Sequence, residues 1–302
     1  MSEWSWDPDP ASGISNRWVE ANGMRFEVAE AGSGDRLALL LHGWPELNFS
    51  WRHQMPLLAS MGYRVWAPNQ RGYGASSRPA GVAAYSVDHL VADIAALIDE
   101  SGATEVTLIG HDWGAAVAWF FAIRQARPLA NLAIMNVPHP ACMARELRTW
   151  KQLSKSWYIF FFQLPRLPEW LLTRDDAAAI RRAFRGSAVN KARFPREDLE
   201  VYAKSAQRPG AMTAMLNWYR AAFRGGVVKA DYPVIETPTL LIWGERDIAL
   251  DIATLDGTDA FVRDLTVQRL PDASHWVQQD VPDAVNGILE NWLSRSESRC
   301  LS

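Results

Sequence analysis

Four short, almost unbroken apolar runs limit this chain more than any other feature, because each ends on a turn residue. They occupy residues 36–41, ending at His42-Gly43; 64–67, ending at Pro68; 106–109, ending at Gly110; and 132–135, ahead of Val137-Pro138. A strand that is apolar on both faces must be covered on both faces, which is the situation of a parallel sheet between helices. Residues 87–101 supply such a helix. Leu90, Ile94, Leu97 and Ile98 recur at helical spacing, and Gly102 closes the pattern. Residues 18–30 alternate instead and carry an Asn22-Gly23 turn, so they predict an antiparallel hairpin feeding the sheet.

After Pro138 the texture changes. Residues 139–230 show no strand pattern, only helical stretches at 148–162, at 174–185 closed by Gly186, at 196–206, and at 209–224 closed by Gly225-Gly226. Strand-like runs return at 239–243 and 265–270, followed by a helix over 282–293 and a frayed tail. The expectation is an α/β fold, a mostly parallel sheet flanked by helices, with core residues 1–137 and 231–302 interrupted by a helical cap at 138–230. A chain of 302 residues is long enough to bury such a core.

Composition narrows the partners. A net charge of −3 provides no basic field for nucleic acid. The longest apolar run, 115–123, is about half the ~18 residues of a membrane span. The N-terminal stretch with Trp4, Trp6, Asp7 and Asp9 lacks the pattern of a signal peptide. Cys142 and Cys300 are too few and too distant for a disulfide framework, so a reducing, cytoplasmic setting is expected. Gly32-Ser33-Gly34 meets Leu37 where a dinucleotide loop needs its third glycine, and no metal or phosphate motif is present, so no cofactor is expected.

The chemistry concentrates at the end of the 106–109 run. Gly110-His111-Asp112-Trp113-Gly114-Ala115 leads from strand to apolar helix with small residues on both sides of Asp112. That spacing suits a sharp elbow whose central residue is forced into a strained, protruding conformation. Serine at such a centre suits attack on a carbonyl. Aspartate is already ionised, is favoured by the helix N-terminus behind it, and can attack an sp³ carbon without a base. A helix-capping aspartate would give a similar pattern. The other motifs favour the nucleophile. His42-Gly43-Trp44-Pro45 can aim the Trp44 N–H into the same cleft as the Trp113 N–H, forming an oxyanion hole. Asp247 follows the 239–243 strand and His275 the 265–270 strand, so nucleophile, acid and base fall in order on successive strand ends. His42 and His111 read as structural neighbours of the site, and His53, His89 and His139 as surface or packing residues.

Together these motifs resemble the α/β-hydrolase superfamily, and within it the epoxide hydrolases that use an aspartate nucleophile. Gln70-Arg71-Gly72-Tyr73-Gly74-Ala75-Ser76 resembles that branch's loop after the fourth strand, and the likeness spans residues 16–294. The resemblance implies a cap inserted after the sixth strand and two cap tyrosines that bond the epoxide oxygen. Tyr158 in Ser156-Trp157-Tyr158 and Tyr219 in Asn217-Trp218-Tyr219 match those places, though Tyr219 also lies on an apolar stripe with Met212, Leu216 and Phe223. A haloalkane dehalogenase shares the aspartate chemistry and a tryptophan such as Trp113, but many carry asparagine where Trp44 stands and have no use for the tyrosines. Fluoroacetate dehalogenases place arginine after the nucleophile, and ester hydrolysis lacks its serine. A silent, ligand-binding member of the superfamily usually lacks a triad or cap residue, and none is lacking here.

The resemblance therefore implies an enzyme for apolar epoxides and water. Tyr158 and Tyr219 would hold the epoxide oxygen while Asp112 attacks, and His275, oriented by Asp247, would activate the water that hydrolyses the ester. Trp44, Trp113, Trp157 and Phe161 are expected to line the pocket, with Trp170 and Trp218 near it. A monomer or homodimer is expected.

Overall fold

The computed structural model describes residues 3–225 and 232–300. Eight strands form one sheet in the order β1-β2-β4-β3-β5-β6-β7-β8. They are β1 (Ile14–Ala21), β2 (Met24–Ala31), β3 (Arg36–Leu41), β4 (Arg64–Pro68), β5 (Glu105–His111), β6 (Asn131–Met135), β7 (Thr239–Gly244) and β8 (Leu265–Leu270). From β4 to β8 every pair is parallel, and only β2 runs against its neighbours. The β1–β2 hairpin turns at Asn22 and Gly23, both at positive φ, as the sequence pattern requires.

The apolar runs are apolar because the two cores divide them residue by residue. Leu37, Leu39 and Leu41 of β3 enter one core, and Ala38 and Leu40 the other; Leu241 and Trp243 of β7 part likewise from Leu240 and Ile242. The edge strand β8 departs from this rule, since Val267 is exposed and its residues are at most half-buried.

The helices are α1 (Met55–Ser60), α2 (Val87–Ser101), α3 (Trp113–Ile123), α4 (Pro140–Glu146), α5 (Trp150–Lys155), α6 (Trp157–Phe161), α7 (Leu167–Ser187), α8 (Arg196–Ala206), α9 (Ala211–Gly225), α10 (Val277–Asp280) and α11 (Pro282–Cys300). Helix α2 ends at Gly102 with φ 63°, as expected. Between β6 and β7 the described residues are helical or irregular, but the helix bounds differ from the sequence reading. Helices α1, α4 and α10 are additional. The stretch 148–162 is broken at Ser156 into α5 and α6. Helix α7 starts earlier than 174 and turns at Asp175, Asp176 and Ala177, all with φ near +55°. It also runs through Gly186. It stops beyond Ser187 because the Asp280 carboxylate, from α10, accepts the N–H groups of Val189 and Asn190. Helix α9 begins only after Gly210, at φ 74°, and Gly226 lies outside the described residues. Helix α11 continues to Cys300 instead of fraying at 294. Among the described residues no helix is long and apolar enough to cross a membrane.

Candidate active site

Because the strands are parallel, the chain leaves β3, β5, β6, β7 and β8 at one edge of the sheet, where clefts of such folds form. Asp112 follows β5 at φ 48°, ψ −122°, a conformation that costs a non-glycine residue energy and holds its side chain out of the turn. The tightness behind it explains the glycines. A Cβ on Gly114 would stand 2.1 Å from the Leu41 carbonyl oxygen, and one on Gly43 would stand 2.3 Å from the Asp112 Cβ.

The Asp112 side chain caps no helical N–H. Its Oδ1 accepts instead from the Trp44 backbone N–H at 2.6 Å, and its Oδ2 lies 3.5 Å from His275 Nε2. The capping reading therefore fails on geometry. Trp113 is the first residue of α3, where helix geometry leaves its N–H without a partner inside the helix. On the far side of the imidazole, Nδ1–H donates to Asp247 Oδ2 at 2.7 Å. Asp247 Oδ1 also accepts the Ala249 and Leu250 N–H groups.

Electrostatics follow from this chain of charges. Burial alone would raise the Asp112 carboxyl, but the hydrogen bond and charge of His275 outweigh it and hold the group below its ordinary range. Asp247 is held down in the same way, against burial, chiefly by the charge of His275. Burial alone would lower His275; the charge of Asp247 and the bonds to Asp112 and Asp247 raise it well above the ordinary histidine value. The two carboxylates thus favour the protonated form of the imidazole that lies between them.

Two phenols stand over this group. Tyr158 from α6 and Tyr219 from α9 have ring centroids 5.9 Å apart. Burial first, and the Asp112 carboxylate second, push both phenols above their ordinary values, so both keep their protons at neutral pH. The Trp113 and Tyr219 rings meet edge-on at 5.0 Å. Trp44 closes the group, 5.2 Å from Phe162 and 5.9 Å from Tyr219.

The remaining pocket residues divide. Trp157 is 64% exposed and does not join these rings. Adjacent residues on a helix point about 100° apart, and Tyr158 takes the inward direction. Phe161 is half-buried, touching Trp157 at 6.2 Å and Phe162 at 6.0 Å. Phe162, which ends the aromatic stretch 157–162 that the sequence offers for an apolar pocket, forms the wall, with Tyr219 at 5.0 Å. Trp170 is exposed, while Trp218 is buried against Trp113 at 5.8 Å and donates to the Arg71 carbonyl.

Two further polar residues were not singled out by sequence. Asn136, at φ 49° after β6, donates to Asp247 Oδ2 at 2.8 Å and accepts the Gly244 N–H, tying the acid to its strand. Glu46 is fully buried and accepts from the Gly43 N–H at 2.9 Å, Gln278 at 2.9 Å and Gln279 at 2.8 Å. It also pairs with His111 Nδ1 at 2.6 Å, and His111 Nε2 meets the His275 carbonyl at 2.8 Å. A polar residue just after an apolar strand was the available signal for Asn136, and the His42–Glu46 turn for Glu46. His42 and His111 are structural neighbours, as expected, and His139 packs flat on Phe261 at 4.5 Å.

Comparison with known proteins finds relatives over most of the chain. A family model described as the alpha/beta hydrolase fold matches residues 39–282. Epoxide hydrolase 4 of Mus musculus is 38% identical over 93% of this chain and 79% of its own length. Epoxide hydrolase 1 of Caenorhabditis elegans is 37% identical over 95% of this chain and 72% of its own. An epoxide hydrolase of Bacillus megaterium, solved in complex with an inhibitor, superposes with a TM-score of 0.85 at 31% identity, covering 92% of this chain and all of that one.

Proposed function

This chain belongs to the α/β-hydrolase fold family, and from that membership we infer how its site works as an epoxide hydrolase. The enzyme converts an epoxide and water to a vicinal diol. Asp112 is the nucleophile, and its geometry carries this assignment: its carboxylate is held by the Trp44 N–H and faces His275.

Asp112 Oδ2 attacks a ring carbon as the carbon–oxygen bond opens. The departing oxygen takes a proton from Tyr158 or Tyr219, which bond it throughout. Attack turns the carboxylate into a neutral ester. The part of the upward push on both phenols that came from the Asp112 charge disappears as the oxygen needs a proton, while that from burial remains. The same event removes one of the two anions that hold His275 protonated, so the imidazolium gives up its proton, which restores the tyrosine that protonated the departing oxygen, and the neutral imidazole becomes available as a base. It then takes a proton from water, which attacks the Asp112 carbonyl carbon. The Trp44 and Trp113 N–H groups hold the tetrahedral oxyanion on Oδ1, and the diol leaves with one oxygen from the ester. Asp247, fixed by Asn136, keeps the proton on Nδ1 of the imidazole.

Residues 138–230 act as the cap that carries the tyrosines, and the aromatic wall of Trp44, Trp113 and Phe162 suits apolar aryl or alkyl epoxides. Cys142, a free buried thiol, is compatible with the cytoplasm.

Intact mass of His275→Gln after exposure to a mixed panel of epoxides and haloalkanes tests this reading. The expected adduct equals one whole epoxide, and the Tyr158→Phe/Tyr219→Phe double variant should form none. An alkyl adduct that has lost halogen, or no adduct with any epoxide on folded protein, would overturn it.

A further inference from the structure

The outer side of the helices over Asp112 is as unusual as the inner side. Six large apolar side chains of residues 150–170 are exposed: Trp150 at 81%, Trp157 at 64%, Phe160 at 50%, Leu164 and Leu167 at 44%, and Trp170 at 58%. Phe223, on α9, is 52% exposed and meets the Phe160 ring at 6.0 Å. One buried guanidinium gathers this surface. Arg220 donates to the carbonyls of Phe162 at 2.9 Å and Leu164 at 2.8 Å and pairs with Glu169 at 2.7 Å, so the 162–169 connection lies against α9. Clusters of exposed apolar residues this dense mark interaction sites.

Charge says which partner. Residues 148–174 contain Arg148, Lys151, Lys155, Arg166 and Arg174 against one acid, Glu169, in a chain whose net charge is −3. Glu169 is taken by Arg220, and Lys151 and Lys155 share Asp251 at 2.9 and 3.3 Å. Arg148 and Arg166 are exposed and have no acidic partner among the described residues. Arg174, whose acidic contact is its neighbour Asp175, lies over the Trp170 ring at 5.2 Å. Tryptophans and phenylalanines interleaved with cations match the headgroup zone of an anionic bilayer, where amphipathic rings and basic side chains each gain. A second copy of the same face would set cations against cations.

We propose that this face docks on the surface of an anionic lipid bilayer, presenting the cap to apolar epoxides dissolved in the membrane. Trp157 and Phe160 face outward from the helix that carries Tyr158, and Phe223 from the helix that carries Tyr219, so a docked molecule keeps its tyrosines directly behind the contact. The choice of substrate rests on the epoxide hydrolase reading; the docking itself does not.

Sedimentation of the full chain with vesicles of phosphatidylcholine alone, or of phosphatidylcholine with phosphatidylglycerol, tests it. The protein should partition to the anionic vesicles and be released by salt. Arg148→Gln/Arg166→Gln should weaken partition roughly thirtyfold. Phe160→Ser/Trp170→Ser should also weaken it while leaving turnover of a water-soluble epoxide without vesicles unchanged. Equal partition to both vesicles, none to either, or indifference to both double variants would overturn the proposal. So would a concentration-dependent dimer that Phe160→Ser/Trp170→Ser dissolves in the absence of vesicle binding, since that assigns the face to a second copy. Loss of turnover in the wild-type protein, with vesicle binding intact, would count against the enzymatic reading alone.

Discussion

Asp112→Asn removes the nucleophile's charge while keeping its shape, and so imitates the electrostatics of the ester intermediate. His275 Nε2 lies 3.5 Å from Asp112 Oδ2, with the two side chains 6% and 17% exposed. At that separation and an effective dielectric of about 20, the pair is worth roughly 5 kcal/mol. Asp247, 2.7 Å away on Nδ1, is untouched by the substitution. The expected outcome is a fall in the His275 titration midpoint, with the imidazole still responding to Asp247. Long-range proton–nitrogen correlation spectra of histidine-labelled protein would follow the ring through pH, with His275→Gln identifying its signals. The same midpoint should govern turnover: decay of the alkyl-enzyme requires a neutral imidazole, so its rate should rise with pH through the Asp112→Asn midpoint and not the higher wild-type one. A midpoint that does not move, or moves up, would refute the claim that forming the ester releases the base.

Two further outcomes concern the frame of the site. Glu46→Ala removes four buried hydrogen bonds and strands His111, and should cost about 3–5 kcal/mol of unfolding free energy in urea, with a smaller loss for Glu46→Gln; a loss within error of zero would show that the pair holds nothing. His139 is buried and its pKa is lowered to about 4, chiefly by desolvation. The unfolded chain therefore binds a proton that the folded one refuses, and stability falls as pH drops from about 6.5 to 4, by up to roughly 3 kcal/mol from this group. His139→Phe, which can keep the stack on Phe261, should flatten that part of the stability curve; an unchanged slope would remove His139 from the account of acid sensitivity.

The sheet was legible because its inner strands are buried on both faces. A run such as Leu37–Leu41 can hardly be anything else when a glycine or proline stops it, and the structure puts alternate residues of that run into the two cores. Helix ends between β6 and β7 were less legible, since contacts far along the chain decide them. Nothing near Ser187 announces that Asp280 will capture the next N–H groups, and Gly186 looks like a terminus because local pattern was all there was to read. The division of Trp157 from Tyr158 had the same cause. Two aromatic neighbours carry no local sign of which one faces the cleft.

The residues proposed to do the chemistry were easier to single out than the residues that support them, for a physical reason. Asp112, Asp247 and His275 each follow a strand end, so the order of strands already brings them to one edge of the sheet. Glu46 and Asn136 matter through partners more than a hundred residues away, and those pairings exist only after the sheet has formed. Coupling among the charges is further removed still. Sequence can supply the proposed nucleophile, the proposed base and two phenols, but only their separations make the base wait until Asp112 loses its charge. A site with the same residues spaced wider by a few ångströms would keep the motif and lose that timing, because a screened pair at longer range no longer holds the imidazole protonated.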